Sequence, residues 1–390
     1  MNVLVVNAGS STLKYQVIDT KSHKVSAKGS CERVCFTGGT FTHAANGSKK
    51  VTENIEFPDH KVAIEVVLKD LEANGVKIEG IGHRIVQGGW YFGDSSLVDE
   101  DVLAKIREVA PLAPLHNYGE AAAIEYCREK YPELPNVAVF DTSFHMTMPE
   151  VAYTYALPKD VCDKYHVRKY GAHGYEWMMA KEILGARCHR LLSCHLGNGA
   201  SLAAIEDGVC RDTTMGLTPL DGLMMGTRCG SIDPATVCYL QREGGYSYQE
   251  VDDMMNKQSG LLAISGISND ARDIRTRASE GDERCLLAFD MFAYKAMQQA
   301  GSMIASMAGV DTITFTAGIG ENGAELREKV MEGFEFMGAK LDPVKNVEGN
   351  RKESVISADD SKVKICVIPT DEEIVIARDT LCIVTGKPIE

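Results

Sequence analysis

The chain opens with two apolar runs on either side of a small polar segment. Residues 3–6 and 13–18 have the apolar, β-prone character of strands, and residues 8–11 are small and turn-forming. The pattern predicts a hairpin. Its turn offers backbone N–H groups and the side chains of Ser10, Thr12 and Lys14. Such groups bind phosphate, although an ordinary hairpin with a polar turn explains this stretch equally well.

A second hairpin pattern lies near the middle of the chain. Residues 191–207 again give an apolar strand, a Gly-rich polar turn and a strand, and both runs align when Ser201 is placed on Thr12. The offset is close to half the chain, which predicts duplicated α/β domains whose hairpin turns face a shared cleft. A third Gly-rich turn, residues 317–323, precedes a predicted helix over 324–336. A loop at a helix N-terminus suits phosphate or ribose.

Two further strand patterns end in residues that carry chemistry. Residues 78–89 place Arg84 before a Gly-Gly break, and residues 137–140 end at Asp141. Arg228 also lies between glycines, which let an anion approach closely. At a strand end, an arginine is usually a surface ion-pair partner, and Asp141 also suits the N-cap of the next segment. The combination with phosphate-type turns favours functional roles instead.

Helical periodicity accounts for most of the remaining chain. It predicts amphipathic helices over 61–71 and 282–308, the second with a Met stripe that is typical of a core. A Pro-punctuated loop holds His116 before an Ala-rich helix that starts at Gly119. Glu372 lies in the first turn of the last helix, where the helix dipole favours an acid in any case.

Composition narrows the class of protein. The 390 residues are 44% hydrophobic and 25% charged, as in a soluble globular protein of two or three domains. The net charge of -14 argues against broad nucleic-acid binding and against an anionic membrane surface. Twelve cysteines without CxxC pairs, and a start without a signal peptide, predict reduced thiols in the cytoplasm. No apolar run approaches the length of a membrane span.

Segments spread over nearly the whole chain resemble the acetate kinase family, in the family's order. They are NAGSSTLKYQ, GHRIVQGG, APLAPLHN, VFDTSFHMTMPE, VRKYGAHG, CHLGNGASL, MGTRCGSIDP, SNDARD, FTAGIGEN and PTDEE. The resemblance implies the actin, hexokinase and heat-shock chaperone superfamily, whose duplicated ribonuclease-H-like α/β domains flank a nucleotide cleft. We expect an N-terminal domain of residues 1–144 plus 374–390, and a C-terminal domain of residues 145–373 that binds nucleotide and forms the dimer interface.

The resemblance implies reversible, Mg²⁺-dependent phosphoryl transfer from ATP to acetate, giving acetyl phosphate and ADP by direct in-line transfer in a homodimer. Mn²⁺ is an alternative metal. A carboxylate is ionised at neutral pH and needs no strong base, so catalysis would be positioning and charge neutralisation. Two other interpretations stay open: a kinase for propionate or butyrate, and a non-catalytic, actin-like nucleotide-binding protein. Arg84 and Arg228 in their glycine settings argue against the last.

Site roles are also implied by matching motif to motif. The presumed catalytic residues are Arg84, His116, Asp141, His173 and Arg228. Asn7 and Glu372 would bind the metal, and Asp141 would contribute to the same site partly through water. The acyl site is Arg84, Val86, Leu115, Ala172 and Pro219. The nucleotide site is Ser10, Thr12, Lys14, His195, Leu196, Gly197, Asn198, Gly199, Asp270, Ala271, Arg272, Gly318, Ile319, Gly320, Glu321 and Asn322.

The sequence departs from the family pattern near the expected acyl site. Ala172 stands where the family usually has Phe, and Tyr175-Glu176-Trp177 where it usually has Thr-Ser-His. Trp90 replaces a commonly polar or charged residue, and Tyr118 replaces the usual Pro. No presumed catalytic group is lost. The departures therefore bear on the acyl group, and a pocket widened at Ala172 predicts better use of propionate.

Overall fold

Two β-sheets form the frame of the protein. The computed structural model describes residues 1–174, 184 and 188–387. Internal contacts divide the chain into unit 1, Met1–Met146 with Asp371–Glu390, and unit 2, Thr147–Thr370. The domain boundaries expected from the resemblance stay a prediction, because compactness alone does not test whether each unit folds as a domain.

Unit 1 contains an eight-stranded sheet with the order β5-β4-β3-β2-β1-β6-β8-β7. The strands are β1 Asn2–Ala8, β2 Thr12–Asp19, β3 Val25–Glu32, β4 Thr40–Ala45, β5 Val51–Asn54, β6 Gly80–Ile85, β7 Ser96–Leu97 and β8 Asn136–Phe140. β1 pairs antiparallel with β2 and parallel with β6, and β6 pairs parallel with β8. The predicted first hairpin is therefore confirmed, with Asn7 opposite Lys14.

Unit 2 contains a six-stranded sheet with the order β11-β10-β9-β12-β14-β13. The strands are β9 Arg190–Leu196, β10 Ala200–Glu206, β11 Val209–Thr213, β12 Thr312–Thr316, β13 Ser354–Val355 and β14 Lys364–Val367. β10 pairs antiparallel with both β9 and β11, whereas β9, β12 and β14 run parallel.

The two sheets repeat one topology. β3-β2-β1-β6-β8 in unit 1 and β11-β10-β9-β12-β14 in unit 2 have the same order, with an antiparallel meander followed by two parallel pairings. This is the ribonuclease-H-like arrangement, in which the parallel strands need helical crossovers. The predicted fold class, a duplicated α/β fold of the actin and hexokinase type, is confirmed.

Helices cover the sheets and supply the connections. Those in the described residues are α1 His60–Ala73, α2 Glu100–Glu108, α3 Asn117–Lys130, α4 Glu150–Tyr153, α5 Lys159–Tyr165, α6 Ala235–Gly244, α7 Tyr248–Lys257, α8 Gly260–Ser265, α9 Ala271–Ser279, α10 Glu283–Ser306, α11 Ala317–Asn322, α12 Ala324–Glu332, α13 Pro343–Glu348 and α14 Glu372–Thr385. Short 3₁₀ helices are Ala110–Leu112, Ser143–Thr147 and Glu335–Met337.

Three predictions about helices need correction. The Gly-rich stretch after β12 is not a loop, because six of its residues form α11 and Gly323 interrupts the helix before α12. The helix expected over 324–336 ends at Glu332, where Gly333 follows, and continues only as a 3₁₀ turn. The Ala-rich α3 begins at Asn117, before the predicted start.

The cysteines and the helices bear on the expected location. All twelve cysteines are free thiols. Within the described part of the chain, every helix is too short or too polar to cross a bilayer. The cytoplasmic location stays a prediction.

The C-terminal helix α14 packs on the parallel strands of unit 1 through a glycine. A Cβ atom on Gly82 of β6 would lie 2.3 Å from Thr380 Oγ1 and 2.8 Å from Ile376 Cγ2. Only a residue without a side chain lets the helix approach β6 this closely. The same contact places the first residue of α14, Glu372, near the end of β6.

We predict that Gly82→Ala destabilises the protein by about 1 to 3 kcal/mol, the usual range for overpacking a core. The added methyl group must displace α14 or strain it. Urea unfolding followed by circular dichroism measures the loss. Gly93→Ala is the matched control, because its Cβ would meet nothing closer than Met146 Cβ at 3.9 Å. An equal effect of both substitutions would contradict the proposed packing constraint.

Candidate functional site

Polar side chains converge in unit 1 where the parallel strands end. Asn7 lies near the end of β1, Arg84 near the end of β6, and Asp141 directly after β8. Glu372 opens α14, whose N-cap residue Asp371 accepts a hydrogen bond from the backbone of Ile374. Parallel strands bring their carboxyl ends to one edge, so side chains that are far apart in sequence meet there.

Arg84 connects this cluster. Its Nε and Nη2 donate to the two carboxylate oxygens of Asp141 at 2.9 and 2.7 Å. Its Nη1 lies 3.4 Å from Asn7 Oδ1 and 3.6 Å from Glu372 Oε2. Asp141 is 1% exposed and Arg84 17% exposed. Such two-pronged pairs fix geometry strongly, so the guanidinium is held at the rim of the sheet while its carboxylate partner is buried.

The unit 1 cluster has the composition of a site for a hard cation. It contains two carboxylates and an amide oxygen against one guanidinium, so its formal charge is negative. Mg²⁺ binds oxygen ligands and keeps several waters, so one or two protein carboxylates are enough. Among the described residues, no group of three or more His, Cys, Asp or Glu side chains forms an all-protein metal cage. The donors therefore fit a metal ion that arrives with other ligands.

The other predicted residues of unit 1 differ in how far they are exposed. Val86 follows β6 and is buried, whereas Leu115 is 39% exposed. His116 precedes α3. The first hairpin turn is closed by Gly9 N–H donating to the Thr12 carbonyl at 2.7 Å, and Ser10 and Lys14 are exposed beside it.

In unit 2, the second hairpin turn lies beside two histidines and an arginine. The rings of His173 and His195 stack, with centroids 3.9 Å apart and planes 16° apart. His173 Nδ1 is 2.8 Å from Ser201 Oγ, which orients the ring. A Cβ atom on Gly199 would lie 3.8 Å from both His173 Nε2 and Arg228 Nη1. The turn backbone, the imidazole and the guanidinium thus face one another.

The segment that carries Arg228 packs tightly on this turn. Gly226 N–H donates to the Asn198 carbonyl at 2.9 Å, and a Cβ atom on Gly226 would lie 1.7 Å from Asn198 Oδ1. Arg228 Nη1 donates to the Pro219 carbonyl at 3.2 Å. Gly226 is therefore required where it stands, and it fixes Arg228 relative to the turn.

A cavity of about 670 Å³ opens in unit 2 beside the same turn. It collects many of the predicted nucleotide residues: Gly197, Asn198, Asp270, Ala271, Arg272, Gly318, Ile319 and Asn322. Its apolar wall comes from Phe289, Ile319 and Leu326. Volume, an apolar wall and nearby polar groups are the features of a small-molecule pocket.

Sequence reasoning did not assign several residues that line this cavity. They are Asn269, Arg275, Phe289, Gly323, Leu326, Asn350 and Arg351. Asn269 lies inside the segment SNDARD, which carries part of the family resemblance. Phe289 and Leu326 have the helical spacing of core residues, and Asn350 and Arg351 stand in no motif, so their sequence carried no signal.

Other predicted nucleotide residues lie outside the cavity lining. Leu196 and Gly320 are buried, and Glu321 Oε1 accepts from Thr370 N–H and Oγ1 at 3.0 and 3.2 Å. Ser10, Thr12 and Lys14 belong to unit 1. Their roles toward a nucleotide stay predictions.

Arg327 supports two of the segments that line the cavity. It is 0% exposed, and its guanidinium donates to Gly320 O at 2.6 Å, Asn350 Oδ1 at 2.8 Å, and both the side chain and the backbone of Asn346 at 2.8 and 2.6 Å. Burial lowers the pKa of Arg327 to about 10. The side chain therefore stays charged at neutral pH, and joins α11 to the Asn350 segment.

Ala172 is 3% exposed and packs within the hydrophobic core of unit 2. The prediction of a widened pocket therefore concerns a residue with almost no open space beside it. Tyr175, Glu176 and Trp177 lie outside the described residues.

The repeated ribonuclease-H-like topology, the Gly-rich turns and the nucleotide-sized cavity are features of phosphotransferases with this fold. The chain belongs to the acetokinase family, whose model matches residues 2–378. It is 48% identical to the acetate kinase of Caldanaerobacter subterraneus subsp. tengcongensis, covering 99% of this chain and 100% of that protein. The acetate kinase structure of Porphyromonas gingivalis is 41% identical with a TM-score of 0.91, covering 98% of this chain and 99% of that one. The propionate kinase structure of Francisella tularensis is 39% identical with a TM-score of 0.92, covering 97% and 99%.

We predict that Arg327→Met weakens ATP binding by about tenfold, because losing buried charged hydrogen bonds releases both lining segments. Arg327→Lys should restore binding only in part, since an ammonium cannot replace the planar fork. Isothermal titration calorimetry measures the affinity, and thermal melting reports the fold. Arg277→Met, which removes an exposed arginine that pairs with Glu280 on the surface, is the control. Unchanged ATP affinity in a folded Arg327→Met protein would contradict this role.

Proposed function

We propose that this protein is an acetate kinase, which transfers the γ-phosphoryl group of ATP to acetate and runs in both directions. An acetate oxygen forms a bond to the γ-phosphorus while the bond to the bridging oxygen breaks, and that electron pair leaves with ADP. The observation that carries the proposal is the Arg84–Asp141 pair, with Asn7 and Glu372 beside it, in a chain of the acetokinase family. It offers an anion-binding guanidinium next to oxygen donors for a metal.

The role we assign to Arg84 is to hold the carboxylate of acetate, and the role of Arg228 is to hold the transferring phosphoryl group. A guanidinium carries a positive charge and five N–H donors in a fixed planar geometry, which suits both tasks. His116 and His173 would donate hydrogen bonds to the phosphoryl oxygens. For His173 this is supported by the Ser201 hydroxyl at 2.8 Å from Nδ1, which turns Nε2 towards the Gly199 turn. Preorganised donors of this kind usually contribute most of the rate acceleration in phosphoryl transfer.

A divalent metal is the second component of the proposal, with Mg²⁺ preferred over Mn²⁺. Asn7, Glu372 and, through water, Asp141 would hold it. When bound, Mg²⁺ neutralises phosphate charge. The chain's own contribution is the fixed spacing of these oxygens, since Arg84 contacts all three side chains.

For the nucleotide, we assign the unit 2 cavity to adenosine. Phe289, Ile319 and Leu326 would pack on the base, and the turn at Asn198 and Gly199 would face the phosphates. Asp270 is kept in position at the start of α9, because its side chain caps the helix and forms an ion pair with Arg272.

We further propose that the active form is a homodimer. Its support is a segment of unit 2, residues 232–248, that exposes four large apolar side chains: Ile232, Tyr239, Tyr246 and Tyr248. Aromatic residues are enriched at subunit interfaces, and monomers rarely expose such patches without a partner.

A propionate kinase is the second candidate, because Ala172 replaces a larger residue of the family pattern. The full-length likeness to the Francisella tularensis propionate kinase makes this acid the natural comparison. Acetate stays the first choice, since the 3% exposure of Ala172 leaves little room beside it.

We predict that Arg228→Ala lowers kcat by about 10²- to 10³-fold, the usual cost of removing a donor that stabilises transition-state charge. A coupled assay for ADP formation with acetate measures it. Arg228→Lys should recover only part of the loss, because the fork is missing. Near-normal turnover of Arg228→Ala would exclude the assigned role.

Arg84→Ala should lose activity to a similar degree and also lose stability. Its removal leaves the buried Asp141 without its charged partner, which typically costs about 3 to 5 kcal/mol. Activity at a temperature where the variant is folded, together with its melting curve, separates the two effects. Arg128→Ala, which breaks the more exposed pair with Glu100, is the control for removing a cation from unit 1.

We predict that Ala172→Phe lowers the ratio of kcat/KM for propionate over acetate. One methylene in an apolar pocket is worth about 1 to 3 kcal/mol, so the ratio should change by about tenfold. Side-by-side rates with acetate, propionate and butyrate measure it in the wild type and the variant. An unchanged ratio means that Ala172 is not part of the acyl wall.

A further inference from the structure

The segment that follows Arg84 is held by side chains rather than by a neighbouring strand. Beyond β6, the backbone N–H groups of residues 86–89 each donate to a side-chain oxygen. The pairs are Val86 to Glu120 Oε2 at 3.2 Å, Gln87 to Asn117 Oδ1 at 3.1 Å, Gly88 to Thr142 Oγ1 at 3.1 Å, and Gly89 to Gln87 Oε1 at 2.8 Å. Buried backbone donors need partners, so these side chains determine where the segment lies.

Helix α3 supplies two of these partners from consecutive turns. Asn117 binds the backbone of Gln87 twice, because its Nδ2 also donates to the Gln87 carbonyl at 2.8 Å. Glu120 lies one turn further and reaches Val86. Both residues are at most 2% exposed. The helix thus holds the segment from behind, on the side away from solvent.

Glutamate is an unusual residue to accept a backbone hydrogen bond in such a buried position. Among the described residues the Oε1 of Glu120 has no hydrogen-bond partner, and its carboxyl forms no ion pair there. Burial, and secondly the negative charge of Asp141, raise the pKa of Glu120 well above its usual value, against the smaller opposing effects of Val86 N–H and Arg84. A protonated carboxyl still has a carbonyl oxygen that accepts from Val86.

We propose that Glu120 is a positioning residue of the acyl site, which sets the location of Val86, directly after the strand that carries Arg84, through the hydrogen bond from Val86 N–H. The proposal rests on the acetate kinase function given above. Asn117 and Thr142 hold Gln87 and Gly88, which have no assigned role towards the acid. Glu120 is the partner of the residue whose side chain is expected to form the apolar wall.

This role depends on the reach of the side chain and not on its charge. Glu120→Gln keeps the length and an accepting oxygen but removes the ionisable group. Glu120→Asp keeps the ionisable group but is shorter by one methylene, so its oxygen withdraws from Val86 N–H. The two variants therefore separate reach from charge in the same position.

The experiment measures KM and kcat for acetate and propionate, with ATP affinity and thermal melting, in both variants. We expect Glu120→Asp to raise the acetate KM by about tenfold, the effect of one lost buried hydrogen bond, and to change the propionate-to-acetate ratio. Glu120→Gln should have an acetate KM much closer to that of the wild type, and ATP affinity should be unchanged in both. Glu129→Asp, on the exposed face of the same helix, controls for aspartate in α3.

Each result distinguishes this proposal from a merely structural role. A folding defect lowers kcat through the folded fraction but leaves KM and the acid ratio unchanged, and such a result in Glu120→Asp would overturn the proposal. A loss in Glu120→Gln as large as in Glu120→Asp would overturn it too, because charge would then be decisive. Failure of the wild type to phosphorylate any short acid would instead overturn the proposed function. An unstable Glu120→Asp is measured at low temperature, where the KM comparison still decides.

Discussion

The two-pronged ion pair between Arg84 and Asp141 is the interaction on which the rest of the unit 1 site depends. Asp141 is buried, and a buried charge is tolerated only when its partner and hydrogen bonds are in place. The pair requires β6 and β8 to end at the same level, which their parallel register provides. It also directs Nη1 of Arg84 towards Asn7 and Glu372. One contact thereby fixes the relative positions of groups from β1, β6, β8 and α14.

Unit 2 reaches a comparable fixed geometry by a different means, the absence of side chains. Gly226 lets the Arg228 segment pack against Asn198, and Gly199 leaves the turn backbone open to Arg228 and His173. A methyl group at Gly226 would collide with the Asn198 amide. The guanidinium of Arg84 is positioned by its ion pair with Asp141. In unit 2, close backbone packing positions the segment of Arg228, whose Nη1 also contacts the Pro219 carbonyl.

The sequence alone predicts the features that repeat along the chain or that depend on residues close together in sequence. The hairpins, the duplicated topology and the strand-end positions of Arg84 and Asp141 follow from apolar periodicity and glycine placement. It does not predict the role of a residue when that role depends on contacts with distant parts of the chain. Glu120, Asn350 and Arg327 are polar residues on or after helices, and periodicity indicates only that such positions are buried or exposed, not what they bind. The glycines of residues 317–323 predict a loop, yet the backbone is helical up to Asn322.

In both units, the residues that face a ligand site are held in position by other residues that are buried. Arg84 is partly exposed, while Asp141 and Glu120, which fix it and the segment after it, are buried. In the cavity of unit 2, Asn350 faces the space and the buried Arg327 holds it. Phosphoryl transfer relies on positioning and on preorganised charge, and such preorganisation depends on partners that solvent cannot displace. The buried polar residues behind the site are therefore as important for the chemistry as the residues that line it.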